Sequence, residues 1–104
     1  MKQFEIKGTP YEMKLTQERV KLIERKTGRA ILSTLTADDG LLTIDAMEAF
    51  FGFAVKEAGA DAFLGYTAGR DLLTDALEEL GYAGVIRLVN EAAEGDLTFL
   101  YRRH

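Results

Sequence analysis

Residues 43–59 read TIDAMEAFFGFAVKEAG, and the apolar residues of this segment recur at spacings of three and four. The pattern predicts an amphipathic helix with one face in the core. Thr43 is predicted as its N-cap, Asp45 as an acidic first-turn residue, and Gly59 as its end. We interpret the aromatic face as core in preference to a groove for a partner. The apolar positions are Met47, Phe50, Phe51, Ala54, Val55 and Ala58.

Upstream of this helix, the first fifteen residues alternate between apolar and polar types. Phe4 and Ile6 alternate with charged residues, and the same pattern resumes at Tyr11 and continues to Leu15. Period two predicts half-buried strands, and the break Gly8-Thr9-Pro10 between the two runs predicts a hairpin. An isolated hairpin is marginal in water, so its apolar face must lie on the helices that follow.

Two helices are predicted between the hairpin and residue 43. Thr16 is interpreted as the N-cap of the first, and Gly28 as its left-handed end. The segment 29–36 has the spacing of a short second helix, and Ala37-Asp38-Asp39-Gly40 is a turn-rich loop.

Downstream, the apolar connection 60–66 is left without an assigned state. Thr67 is predicted to cap a helix that ends at Gly81, and residues 83–93 show helical spacing again. The tail 94–104 is compatible with a continued helix, a strand or a segment that docks on a partner. In the helix that ends at Gly81, the residues predicted to face the protein core are Leu72, Leu73, Ala76, Leu77 and Leu80.

The predicted fold is therefore mainly α, with a small N-terminal β-hairpin packed on a bundle of about four to five helices. Residues 1–104 form a single domain: hairpin 1–15, helical part 16–93 and tail 94–104. A chain of 104 residues suits one domain with one core.

Composition narrows the class of protein. There is no cysteine, which excludes disulfides and thiolate metal sites and suits a reducing compartment. The N-terminus MKQFEIKG lacks an apolar run of signal-peptide length, and no apolar run reaches the roughly 18 residues of a membrane span. We therefore expect a cytoplasmic protein without membrane contact.

Charge is unevenly divided along the chain. Residues 1–36 carry eight Lys/Arg against four Asp/Glu, a net charge of +4, and residues 37–104 carry five against thirteen, a net charge of −8. The asymmetry could orient the protein against a partner or against copies of the same chain. The alternative interpretation is that the two charged regions are ordinary solvated surfaces. We do not expect nucleic acid as a partner, because the basic residues are interspersed with acidic ones and form no aromatic-rich cluster.

The residues that carry catalysis are scarce. The single histidine is His104 at the chain end, and the single serine is Ser33 within an apolar helical pattern. Asp38-Asp39-Gly40 lacks the remaining ligands of a calcium loop, and Gly65 and Gly69 lack the Lys-Ser/Thr ending of a phosphate loop. We predict no catalytic residues, no metal site, no cofactor and no enzymatic activity. A pair of carboxylates acting as general acid and base remains the enzymatic alternative.

Binding to another protein remains as the expected role. Aromatic and arginine side chains are favoured anchors at interfaces, which makes the tail the first candidate for contact. The candidate partner-binding residues are Phe99, Tyr101, Arg102 and Arg103. The alternative is that Phe99 and Tyr101 cover the end of the core.

One family shares the order of these patterns. The segment FEIKGTPYEMKLT (residues 4–16), followed by RVKLIERKTGRAIL (residues 19–32), resembles the tail assembly chaperones of long-tailed, siphophage-type bacteriophages and related prophages. Members often begin with a short hairpin leading into a helix that ends in Gly, then a basic residue and an apolar run. The remainder is acidic and helical, as here. Many members end in an acidic helix, whereas this chain ends in LYRRH.

The resemblance implies a non-catalytic chaperone that binds the tape measure protein, a long helical chain, in the host cytoplasm during tail morphogenesis. It also implies many copies per client and a possible homo-oligomer. The alternative function is a small cytosolic regulatory or adaptor protein, such as an antitoxin or anti-repressor, that binds a protein partner.

Overall fold

The computed structural model describes residues 1–98. The chain is mostly helical, with a small antiparallel sheet at its N-terminal end, which confirms the predicted fold class. The elements are β1 (Lys2–Ile6), β2 (Thr9–Met13), α1 (Gln17–Thr27), α2 (Ile31–Thr36), a 3-10 turn (Ala37–Gly40), α3 (Ile44–Ala54), β3 (Val55–Glu57) and α4 (Tyr66–Asp96).

The predicted hairpin is confirmed, but its turn is shorter than expected. Strands β1 and β2 pair antiparallel, with Ile6 opposite Thr9. The turn is therefore Lys7-Gly8, and Thr9 and Pro10 already belong to β2. Both turn residues have positive φ, 50° at Lys7 and 81° at Gly8, as the tightest hairpins require.

The stretch 43–59 is only partly helical, which corrects the sequence prediction. Helix α3 ends at Ala54, and Val55–Glu57 forms a third strand that pairs antiparallel with β2. The Lys14 N–H also donates to the Ala54 carbonyl at 2.8 Å. Gly59, with φ of 80°, lies in the turn after this strand and does not cap the helix. The strand forms because β2 offers a free row of backbone hydrogen-bonding groups to a β-branched residue at the helix end.

The core lies around α3, between the sheet, α1 and α4. Phe50, Phe51 and Met47 have no exposed surface, so the aromatic face of α3 is core, as predicted. Phe4 of the sheet meets Phe51 with ring centroids 6.0 Å apart. Thr43 caps α3 by accepting the Ala46 N–H at 3.0 Å, also as predicted.

The predicted limits of α1 are confirmed as well. The Thr16 hydroxyl accepts the Arg19 N–H at 3.2 Å, and Gly28 closes the helix with φ of 73°. Glu24 reaches across this end and accepts the Ile31 N–H at 2.8 Å, which satisfies a donor at the start of α2. The end of α1 and the start of α2 are thereby held together.

Helices α3 and α4 approach closely through glycines. A Cβ on Gly69 would overlap the carbonyl oxygen of Phe51, and it would lie 3.0 Å from the Cα of Gly52. A Cβ on Gly52 would overlap the ring of Tyr66. Gly69, weighed from sequence only as part of a weak phosphate-loop pattern, and Gly52 therefore set the spacing of the helix pair.

Helix α4 starts and bends at glycines. It begins after Gly65, so the predicted Thr67 cap is wrong. Gly81 has φ of 75° and ψ of 168° within α4, which confirms the predicted break there. Leu80, predicted to face the core, is instead 37% exposed, because it lies directly before the non-helical Gly81 and the break moves it out of the buried stripe.

The connection 60–66, unassigned from sequence, is irregular up to Gly65, and Tyr66 already begins α4. The Leu64 N–H donates to the Val55 carbonyl at 2.9 Å. The Arg19 guanidinium of α1 lies 4.1 Å from the centroid of the Phe63 ring. These contacts tie the connection to β3 and to α1 before the chain enters α4.

Charged contacts hold the sheet against one flank of α4. The Lys7 Nζ lies 3.0 Å from Asp75, the Lys7 N–H donates to Glu79 at 2.8 Å, and the Lys2 Nζ lies 3.4 Å from Glu91. Asp75 raises the pKa of Lys7 by accepting its hydrogen bond and by its charge. Part of the charge asymmetry along the chain is therefore neutralised inside the molecule.

Near the end of the described residues, α4 covers the base of the sheet. Residues 94–96 continue the helix, and Leu97 after it is fully buried. Asp96 accepts the Leu15 N–H at 2.8 Å. The four predicted partner-binding residues, Phe99, Tyr101, Arg102 and Arg103, lie outside the described residues.

Candidate protein-binding groove

A groove of about 470 Å³ opens where α1 ends, α3 begins and α4 begins. The α2 helix and the 3-10 turn close a further side. The groove lies entirely within the described residues, 1–98. Its lining residues are Lys26, Thr27, Arg29, Thr34, Ala37, Asp38, Leu41, Thr43, Asp45, Ala46, Glu48, Tyr66 and Arg70.

Helix α3 and its cap contribute Thr43, Asp45, Ala46 and Glu48 to the lining, and this part of the groove is named its floor. Asp45, Glu48 and Gly52 follow one another at spacings of three and four, and therefore lie on one side of the helix. The opposite side of α3 carries the buried aromatic residues. Tyr66 rests on Gly52, so its ring closes the groove at the C-terminal end of α3.

The walls on either side of this floor are basic. Lys26 and Arg29 come from α1 and the segment after it, and Arg70 comes from the first turns of α4. The Lys26 Nζ lies 5.3 Å from the centroid of the Tyr66 ring, and the Arg70 guanidinium lies 6.0 Å from it. Both cations are thus placed by the same aromatic ring, at a distance where its electrostatic attraction is felt.

Most of these charges have no ion-pair partner among residues 1–98. Among residues 1–98, no opposite charge lies within 4.0 Å of Lys26, Arg29, Asp45 or Glu48. Arg70 has only its neighbour Asp71, at 3.8 Å. The groove therefore offers both signs of charge to an incoming molecule.

The other end of the groove presents apolar side chains. Asp38 and Asp39 have φ of 51° and 60°, and Gly40 follows with φ of 85°. Left-handed backbone at non-glycine residues costs roughly 1–2 kcal/mol per residue. This turn leads directly into Leu41, whose side chain is 55% exposed.

Further exposed apolar residues lie beside Leu41. Ile44 is 48% exposed and Tyr82 is 42% exposed. The Tyr82 hydroxyl donates to the carbonyl of Leu42, which places the helix break of α4 next to the start of α3. Leu41, Ile44 and Tyr82 together are named the apolar rim. An apolar patch beside charged residues is typical of a protein-binding surface.

The residues considered for chemistry lie apart from one another. Ser33 is exposed on α2, and Asp75 and Glu79 are engaged with Lys7. In the described part of the chain, no three residues of the types His, Cys, Asp and Glu are grouped to hold a metal ion. No helix within residues 1–98 is both long and apolar enough to cross a membrane. The prediction of a non-enzymatic role stays a prediction.

Sequence reasoning missed the groove because its residues come from four separate segments. One signal was available: Gly52 lies in an otherwise well-formed helix, at a position where glycine weakens the helix unless another group approaches closely. The partner is Tyr66, which the sequence left in an unassigned connection.

Comparison of the chain with protein-family models, with curated proteins and with solved structures finds no match. The likeness to tail assembly chaperones accordingly rests on the pattern of residues 4–32 and on the acidic, helical remainder.

Proposed function

We propose that this protein is a non-catalytic tail assembly chaperone of a long-tailed phage or prophage, and that it binds the tape measure protein in the host cytoplasm. The observation that carries the proposal is the groove along α3, which joins an apolar rim to unpaired charges on a small helical domain. Such a surface suits a helical client that must be covered reversibly.

The physical task explains this combination. A long helical client exposes apolar residues along its length and would aggregate before its tail tube assembles around it. Contact with the apolar rim covers part of that surface. The charges of the groove keep each contact specific and salt-sensitive, so the chaperone can be displaced. Several copies per client, with weak contacts between copies, belong to the same proposal.

Co-expression tests the proposal directly. The full chain is produced together with the tape measure protein encoded beside it, and soluble client is measured with and without the chaperone. We expect soluble client that co-purifies with this chain. A client that stays insoluble and retains none of the chain would contradict the function.

A matched pair of variants locates the contact. Leu41→Glu places a charge in the exposed apolar rim and is expected to reduce co-purified client. Ser33→Glu adds the same charge on exposed α2, outside the groove lining, and should leave co-purification unchanged. Equal loss in both variants would place the contact elsewhere.

A regulatory or adaptor protein is the second candidate. The observation that favours it is the set of unpaired charges in a defined groove, because charges select one partner over others. Recovery of a toxin or repressor with the tagged chain, in place of a tail protein, would support this candidate.

A further inference from the structure

The charges of the groove are arranged in a pattern that specifies its occupant. Acidic residues Asp45 and Glu48 come from α3, and the basic residues come from the two elements that border it: Lys26 and Arg29 from the end of α1 and the segment after it, and Arg70 from the first turns of α4. Four of these five have no ion pair within residues 1–98. A partner gains most by carrying the opposite arrangement, with positive charge in the centre and negative charge on both flanks.

The length of the floor fits a short helical segment. Thr43 and Gly52 mark its ends, nine residues apart on α3, which corresponds to about 14 Å. Leu41 stands at one end and Tyr66 at the other, so a partner of two to three turns meets a large apolar or aromatic side chain at each end.

The need for charges on both flanks favours a helix over an extended chain. In a helix, positions i+3 and i+4 lie on either side of position i on the same face. An extended chain presents only every second side chain to the floor and the others away from it. One helical face can therefore reach the floor and both walls at once.

We propose that the groove binds one amphipathic helix that directs a basic residue at Asp45 and Glu48, and acidic residues three and four positions later at Lys26 and Arg70. The inference rests on the proposed function, of which it names the client feature. The acidic floor disfavours nucleic acid, because phosphates that approach the basic walls also approach Asp45 and Glu48.

Two synthetic peptides of about 18 residues, long enough to form helix in a suitable sequence, test this inference. The first carries Lys at positions i and i+7 and Glu at i+3 and i+4. The second exchanges these Lys and Glu residues, so the two have the same composition and net charge. Binding to the full chain is measured by fluorescence anisotropy at low and moderate salt.

We expect the first peptide to bind at least about tenfold more tightly, with the preference shrinking as salt rises. Equal affinities, or tighter binding of the exchanged peptide, would overturn the inference.

Charge reversal in the protein gives the decisive control. The double variant Glu48→Lys with Arg70→Glu reverses one of the two floor charges and one of the three wall charges, and it should abolish the peptide preference. The matched double variant Glu5→Lys with Lys14→Glu makes the same changes at exposed sites outside the groove lining and should keep it. Circular dichroism melts verify that both variants are folded. An unchanged preference in the groove variant would also overturn the inference.

The result is separable from that of the proposed function. If wild-type chain solubilises the tape measure protein but does not distinguish the peptides, the chaperone function stands and the charge pattern is wrong. If the peptides are distinguished and the client is not bound, the groove is a helix-binding site and the chaperone function is wrong.

Discussion

The two flanks of α4 use charge in opposite ways. On the hairpin flank, Lys7 binds Asp75 and Glu79, and Lys2 binds Glu91, so the charges hold the sheet in place. On the groove flank, Arg70 lies 3.8 Å from its chain neighbour Asp71, and Lys26, Arg29, Asp45 and Glu48 have no ion-pair partner among residues 1–98. The charges on the hairpin flank therefore stabilise the fold, whereas those on the groove flank are available to a binding partner.

The largest expected effect comes from a substitution in the core, on α3, against which α4 packs. Phe51 is fully buried and contacts Phe4, so Phe51→Ala should lower the free energy of unfolding by about 3–5 kcal/mol. Phe53, half-buried beside Tyr66, is the matched control, and Phe53→Ala should cost less. Urea denaturation measures both, and a near-neutral Phe51→Ala would mean that the aromatic face of α3 is not core.

The second effect concerns the spacing of α3 and α4. Gly69→Ala places a methyl group onto the backbone carbonyl of Phe51, which cannot move without shifting the helix. The expected loss is about 1–3 kcal/mol, the usual range for overpacking. Thermal unfolding followed by circular dichroism provides the measurement.

Gly84→Ala in the same helix is the control for this substitution. Its added Cβ meets only the Cβ of exposed Leu80, at 3.0 Å, and should be tolerated. If the two variants were equally stable, the close approach of α3 and α4 would not limit stability.

The third effect depends on pH and belongs to the hairpin flank. Asp75 raises the pKa of Lys7 above its ordinary value of 10.5, so the charged pair stabilises the fold below that value. This contribution is lost as the pH rises through the higher pKa of the folded state. Wild type should therefore lose stability between about pH 9 and about pH 12 more steeply than Lys7→Gln. Parallel curves for the two proteins in urea titrations would show that the pair contributes nothing.

The smallest effect on stability is expected on the groove flank. Glu48 has no ion pair within the described residues, so Glu48→Ala should change the free energy of unfolding by less than about 0.5 kcal/mol. The same variant should weaken binding of the first peptide, because the Glu48 carboxylate that attracts the lysines of the peptide is removed. A destabilisation comparable to that of Gly69→Ala would show that Glu48 has a folding role and would remove the contrast between the flanks.

The features of this protein that depend on local rules can be predicted from its amino-acid sequence. Alternation predicted the hairpin, Thr16 and Thr43 predicted two helix starts, and Gly28 and Gly81 predicted a helix end and a helix break. These signals are readable because a side-chain oxygen at an N-cap, or a positive φ at glycine, acts within a few residues along the chain.

Only the tertiary structure decided the third strand and the groove. Val55 is buried whether the helix continues or a strand begins, so periodicity does not distinguish the two, and the free edge of β2 settles the outcome. The groove depends on Tyr66 resting on Gly52, with Lys26 and Arg70 on either side. Contacts between residues so distant along the chain are set by how the helices pack, which no local pattern records.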